Sequence, residues 1–202
     1  DATFYPRAHD RSDGAFRVIH FGKYIPLHGM EYVLQAAALL QPEGVQFTLV
    51  GTGQLYQPMR ALAERLGLRN VRFIPWLDPT ALCQEIAAAD VCLGIFGATE
   101  KARRVIGVKV FESLAMGKPV VTGDSPASRE LLEDRETAIL CRMADPESIA
   151  AGLRVLRDDP TLRVRIAQNG HELFQKRCSP RAIAETLLGH LENLARPKGS
   201  GR

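Results

Sequence analysis

The stretch VCLGIFGATEKARRVIGVKVFESLAMGKPVVTGDSP, Val91 to Pro126, contains one complete unit of the architecture. Val91–Phe96 is a short apolar run of the kind a strand buried on both faces requires. Gly97–Arg104 reads as a polar loop. Val108–Met116 carries apolar residues at helical spacing and stops at Gly117. Pro119–Thr122 is apolar again and closes on Gly123-Asp124-Ser125-Pro126, a turn. A strand, a helix and a second strand in so short a span predict a right-handed crossover between parallel strands.

The same alternation extends in both directions. Upstream, Val18–Phe21, Val45–Val50 and Val71–Ile74 read as strands. The helices between them are Met30–Leu40, Leu55–Leu66 and Pro79–Ala89, the last with Pro at its first position. Downstream come a short helix at Ala127–Leu132, a strand at Ala138–Cys141 and three helices: Pro146–Leu156, Thr161–Lys176 and Pro180–Leu194. The expected fold is an α/β, doubly wound, Rossmann-like parallel sheet of about six strands with helices on both faces. Ligands of such sheets bind outside the carboxyl ends of the strands. That rule selects the loops Gly22–Gly29, Gly51–Gly53, Pro75–Asp78, Gly97–Gly107 and Gly123–Ala127.

Composition excludes several classes. The chain has 202 residues, 46% of them hydrophobic, which is enough to bury a core and rules out wholesale disorder. Its 26 basic and 23 acidic residues leave +3, too little to imply a nucleic-acid partner. No apolar run approaches the roughly 18–20 residues that span a bilayer, and the opening residues lead to no expectation of a signal peptide. A cytoplasmic protein is expected, with Cys83, Cys92, Cys141 and Cys178 as reduced thiols. Residue 1 is Asp, so the chain reads as a piece with another domain upstream. Residues 1–195 would form the domain, and the Gly-, Lys- and Arg-rich 196–202 a disordered tail.

Four features could carry chemistry. Gly51-Thr52-Gly53 follows a strand, but Tyr56 stands where a dinucleotide fingerprint needs its third glycine, which argues against an NAD site. Lys101, Arg103, Arg104 and Lys109 against the single Glu100 give a local +3, equal to the charge of the whole chain. Basic side chains beside a helix start attract phosphate or carboxylate; the plainer alternative is a solvated loop. Glu112, one turn into an otherwise apolar helix, either complements the helix dipole or accepts the two hydroxyls of a ribose. Lys23 and His28 lie on the loop after the first strand, within reach of a phosphate across the crevice. The other histidines, His20 among them, show no partner pattern, and neither a metal motif nor a nucleophile is visible.

Taken together, these segments resemble the C-terminal, donor-binding domain of a retaining, family-4-type glycosyltransferase of the GT-B fold. Asp1-Ala2-Thr3-Phe4-Tyr5-Pro6 resembles the segment that joins the two domains in that family. Gly22-Lys23 and His28-Gly29 stand where the family has Gly-Arg and Lys-Gly. Leu49–Gly53, Val71–Leu77 and Ala88–Val91 match further family motifs, and Gly107–Val121 matches the end of the family's Glu-x7-Glu motif and the strand after it.

The resemblance implies a nucleoside-diphosphate sugar as substrate, with UDP or GDP as the nucleotide. It implies transfer to an acceptor hydroxyl with retention, and no metal or cofactor. Lys23 falls on the diphosphate-binding Arg and Glu112 on the ribose-binding Glu; Pro75 and Trp76 would meet the base, and Gly107 and Val108 would offer backbone to phosphate or sugar. Gly22, His28, Gly51, Gly53, Lys101, Arg103 and Lys109 complete the donor set, with Lys23 and Arg104 as the catalytic cations. Two positions depart from the pattern. Arg104 replaces the first Glu of the motif and His28 the phosphate Lys. They read as a shifted diphosphate clamp or an acidic donor sugar, or else as an inactive member. An acceptor glycan, lipid or small molecule would be met through the missing domain, with peripheral membrane association of the full-length enzyme. The rival readings are a non-catalytic nucleotide- or phosphate-binding module and a nucleotide-sugar epimerase on the same architecture.

Overall fold

A computed structural model describes residues 3–7 and 14–195. Asp1 and Ala2 of the linking segment and the expected tail at 196–202 lie outside the described residues. Six strands form one sheet: β1 (Arg17–Phe21), β2 (Gln46–Val50), β3 (Val71–Ile74), β4 (Val91–Leu93), β5 (Val120–Gly123) and β6 (Ile139–Cys141). Their order is β3-β2-β1-β4-β5-β6 and every pairing is parallel. The order reverses between β1 and β4, the switch point at which such sheets open a crevice.

The helices are α1 (Met30–Leu40), α2 (Tyr56–Arg65), α3 (Pro79–Ala88), α4 (Glu100–Arg103), α5 (Val108–Ala115), α6 (Pro126–Arg129), α7 (Pro146–Asp158), α8 (Pro160–Leu173) and α9 (Pro180–Ala195). Side chains alternate across the sheet as the strand period dictates. Val18, Phe47, Leu49, Leu93 and Val121 pack under α1, α2 and α7. Ile19, Phe21, Val50 and Cys92 meet α3, and Val120 meets α5. No helix among the described residues is long and apolar enough to cross a membrane. Cys83, Cys92, Cys141 and Cys178 are free thiols.

The structure departs from the sequence reading chiefly in three places, and the short helix expected at Ala127–Leu132 spans Pro126–Arg129. The strand expected at Val91–Phe96 ends at Leu93. Beyond it the chain peels away to satisfy other partners: Phe96 N–H donates to the His28 carbonyl at 3.1 Å and Ile95 N–H to Thr122 Oγ1 at 3.2 Å. The expected loop Gly97–Arg104 contains α4, because Thr99 caps it by accepting from Ala102 N–H. The single helix expected at Thr161–Lys176 is α8 followed by a π-helical turn, Phe174–Cys178, which ends where Ser179 N–H bonds the Phe174 carbonyl.

Candidate functional site

The carboxyl ends of the strands are sewn together by backbone. Leaving β1, Gly22 N–H donates to the Val50 carbonyl at 3.0 Å, and Tyr24 N–H to the Thr52 carbonyl at 2.9 Å. Leaving β2, Gly51 N–H donates to the Ile74 carbonyl at 2.8 Å. Gly51 has φ +126°, and a Cβ there would lie 2.0 Å from the Gly22 carbonyl oxygen. The loop after β1 then makes a single 3-10 turn, Pro26–His28, whose His28 and Leu27 carbonyls receive Phe96 and Gly97 N–H from the loop after β4. Three loops far apart in the chain are thereby held at one edge of the sheet.

At that edge Gly22, His28, Gly107 and Lys109 come together. Lys109 is 5% exposed, and its Nζ lies 3.1 Å from His28 Nε2. A Cβ on Gly22 would meet Lys109 Cε at 3.3 Å and Nζ at 3.5 Å; one on Gly107 would lie 4.0 Å from Nζ. The sequence grouped Lys109 with Lys101, Arg103 and Arg104 in one basic cluster; burial parts it from those three exposed side chains. Desolvation lowers its ammonium to about 7, with Glu112 pulling the other way. Burial, and then the Lys109 charge, bring His28 down to about 4.

His20 was not among the residues that the sequence singled out. Its ring is fully buried at the end of β1, 5.5 Å from the His28 ring, and neither ring nitrogen has a hydrogen-bond partner. Desolvation, Lys109 and His28 all hold it neutral. A histidine flanked by apolar residues in a buried strand was the available signal, but its partners come from elsewhere in the chain.

Glu112 is half-buried on α5, past the first turn. A helix dipole acts within the first turn, so a capping role does not account for it. Burial raises its carboxyl, and the nearby Lys109 pulls it down. The remaining predicted residues surround this centre more loosely. Lys23 is exposed beside Gly22, and Gly53, against the Tyr24 backbone, is exposed as well. Val108 is exposed at the start of α5. Pro75 and Trp76 follow β3, with Trp76 74% exposed. Lys101, Arg103 and Arg104 are exposed on or just after α4, which lies against the 3-10 turn, and Arg104 pairs with Glu100 at 3.2 Å. Both partners of that pair are well solvated, so it contributes little. A separate concavity of about 670 Å3 lies between β2, β3 and α3, away from these ends; its Arg72 is held by Glu85 at 2.5 Å.

Two buried neutral histidines predict acid lability. At His28 the unfolded chain takes up a proton near 6.5 that the folded chain refuses until about 4, and His20 shifts in the same direction. Stability should therefore fall as pH drops through that window. Moving His28 from 6.5 to about 4 accounts for about 3 kcal/mol of the loss. Urea titrations between pH 4 and 7 should show the slope, and His28→Gln should flatten it. A wild-type stability constant across that range would contradict the burial described here.

Comparison with known proteins follows the same lines. Residues 15–159 match the family model described as "Glycosyl transferases group 1". The lipopolysaccharide core biosynthesis glycosyltransferase LpsE of Rhizobium meliloti is 30% identical over 172 residues, 85% of this chain and 48% of that protein. The alpha-D-kanosaminyltransferase of Streptomyces kanamyceticus is 28% identical over 85% of this chain and 44% of its own length. The chain thus spans about half the length of the curated relatives it matches. Among solved structures, the C-terminal domain of a group 1 family protein, LpcC, from Francisella tularensis superposes with a TM-score of 0.73 at 22% identity, covering 87% of this chain and 96% of that one. Anabaena Alr3699/HepE in complex with UDP superposes at 0.79 with 24% identity, over 89% of this chain and 49% of that one. These two likenesses establish the fold as that of a GT-B C-terminal, Rossmann-like domain.

Proposed function

This chain belongs to the group 1 glycosyl transferases, and on that premise we propose that it is the donor-binding half of an enzyme that moves a sugar from a nucleoside-diphosphate sugar to an acceptor hydroxyl with retention of configuration. The observation that carries this reading is the meeting of Lys109, His28 and Gly22 beside the half-buried carboxylate of Glu112. Cations close to open backbone suit a diphosphate, and a carboxylate one helical turn away suits the two hydroxyls of a ribose. In this reading Lys23 and Lys109 take the diphosphate, Pro75 and Trp76 lie beside the base, and the exposed basic group on α4 draws the donor in. The family relationship and the UDP bound to the Anabaena protein support the substrate class. The half of the relatives that this chain does not span would supply the acceptor site. The electrostatic task is to stabilise the departing diphosphate.

Titration calorimetry with UDP, GDP and ADP tests the reading on this chain. One of the three should bind, and no heat from any of them on folded protein would sink it. With that ligand, replacing Arg103 and Arg104 by Ala should weaken binding several-fold at about 10 mM salt and much less at about 500 mM, since exposed charges are screened. Equal loss at both would place these arginines in direct, desolvated contact, and no loss would leave α4 a solvated surface. Product analysis on the full-length protein separates transfer from epimerisation and from binding alone.

A further inference from the structure

Lys109 and His28 are two basic side chains in hydrogen-bond contact at 3.1 Å. Such a contact needs one lone pair, so the pair holds at most one extra proton. The pair is deeply buried, with Lys109 5% and His28 8% exposed. Beside it lies the His20 ring with both nitrogens unpartnered, and His28 Nδ1 is unpartnered too. Three cationisable groups are thus packed together with one carboxylate, Glu112, among the facing groups. Gly22 beside the pair is exposed, and a Cβ there would come within 3.5 Å of Nζ.

The facing groups are few. The 3-10 turn presents His28, β1 presents His20 and α5 itself presents Glu112. β4 presents Cys92 toward Ser113, its thiol pushed up to about 11 by burial. β5 presents Thr122, bonded to Ile95 backbone, and α8 presents His171, bonded to the Leu114 carbonyl at 3.0 Å at the far end of α5. The π-helical turn packs through Phe174 and Cys178. Lys101, Arg103 and Arg104, on or just after α4 against the 3-10 turn, are exposed.

We propose that Lys109 and His28 act as one proton-exchanging pair: the Lys109 ammonium grips the diphosphate between Gly22 and Gly107, His28 positions it, and the pair takes up a proton from solvent as the anion arrives. This rests on the donor-binding reading above and adds that binding there is proton-linked. An anion at hydrogen-bond distance favours the charged form of Lys109, which burial, partly offset by Glu112, holds near 7. Above that value the free pair is short of a proton and the bound pair is not. Affinity therefore falls as pH rises through 7 to 9.

The test is calorimetry with UDP, GDP, ADP and pyrophosphate at pH 8, in Tris and in HEPES, whose ionisation heats differ. Wild-type protein should take up about half a proton or more per bound ligand, and affinity should drop roughly three- to tenfold between pH 7 and 8.5. Lys109→Arg, charged at every pH used, should bind without uptake and with a flat pH profile. Lys109→Gln, which relieves burial of the charge and is expected to fold, should bind at least tenfold more weakly at pH 7, also without uptake. Binding by wild type without proton uptake would overturn the proposal and leave the donor-binding reading standing. So would uptake that survives in both variants. Absence of binding by all four ligands would instead be the failure of the donor-binding reading.

Discussion

Glu112→Gln is expected to lower nucleoside-diphosphate affinity at least tenfold while leaving pyrophosphate nearly unaffected. The wild-type carboxylate can accept from both ribose hydroxyls, and losing such charged hydrogen bonds costs about 2–4 kcal/mol. Gln keeps the shape and one acceptor but gives up the charge. The change should not unfold the domain. Glu112 lies past the first turn of α5, and burial opposes its charge, so a neutral amide costs the fold little. The melting temperature should stay within a few degrees or rise. The comparison is best made near pH 6, because Glu112 also supports the charge on Lys109. There the wild-type Lys109 is largely protonated, and the pyrophosphate arm reports any change in Lys109 charge separately from the ribose contact. Equal loss for both ligands would put Glu112 on the phosphates. Lost stability with intact affinity would make it a residue of the fold only.

Gly51→Ala should cost about 3–5 kcal/mol of stability, and roughly 10 °C or more in melting temperature for a domain of this size. A methyl at Gly51 would lie 2.0 Å from the Gly22 carbonyl oxygen, and φ there is +126°. The obstacle is backbone held by two strands, so no side chain can move aside. Gly67→Ala is the control. It also has positive φ, +62°, but nothing lies within 4 Å of the added carbon. That variant should lose about 1 kcal/mol, the cost of the backbone conformation. Thermal melts of the two side by side separate crowding from conformation. Similar losses in both would mean that the loops after β1 and β2 are not packed as described. The result bears on the site, because Gly22 forms the rim over the Lys109 ammonium.

The layered fold was legible because its signals are local. Met30–Leu40 and Val71–Ile74 have the bounds their sequence patterns predict, since apolar periodicity and flanking breakers act within a few residues. The alternation of short apolar strands and helices likewise implied parallel pairing with both faces covered, as found. The positions of the candidate residues at the strand ends followed from the same alternation. The early end of β4 and the cap of α4 did not. The first depends on carbonyls from the turn after β1, and the second is a single side-chain hydrogen bond within a polar run.

Composition and local pattern were enough to define a doubly wound α/β domain with a basic cluster and the helix carboxylate Glu112 at the carboxyl ends of its strands. Which of those basic groups are buried is set by long-range packing. Lys101, Arg103, Arg104 and Lys109 look alike as letters in one charged run, yet Lys109 is turned inward against His28, 81 residues away in the chain, and beside His20. The character of a lysine depends on its desolvation and on the charges near it, and both are set by which segments the sheet order brings together. Residue type names the possible charge, and packing sets its pKa.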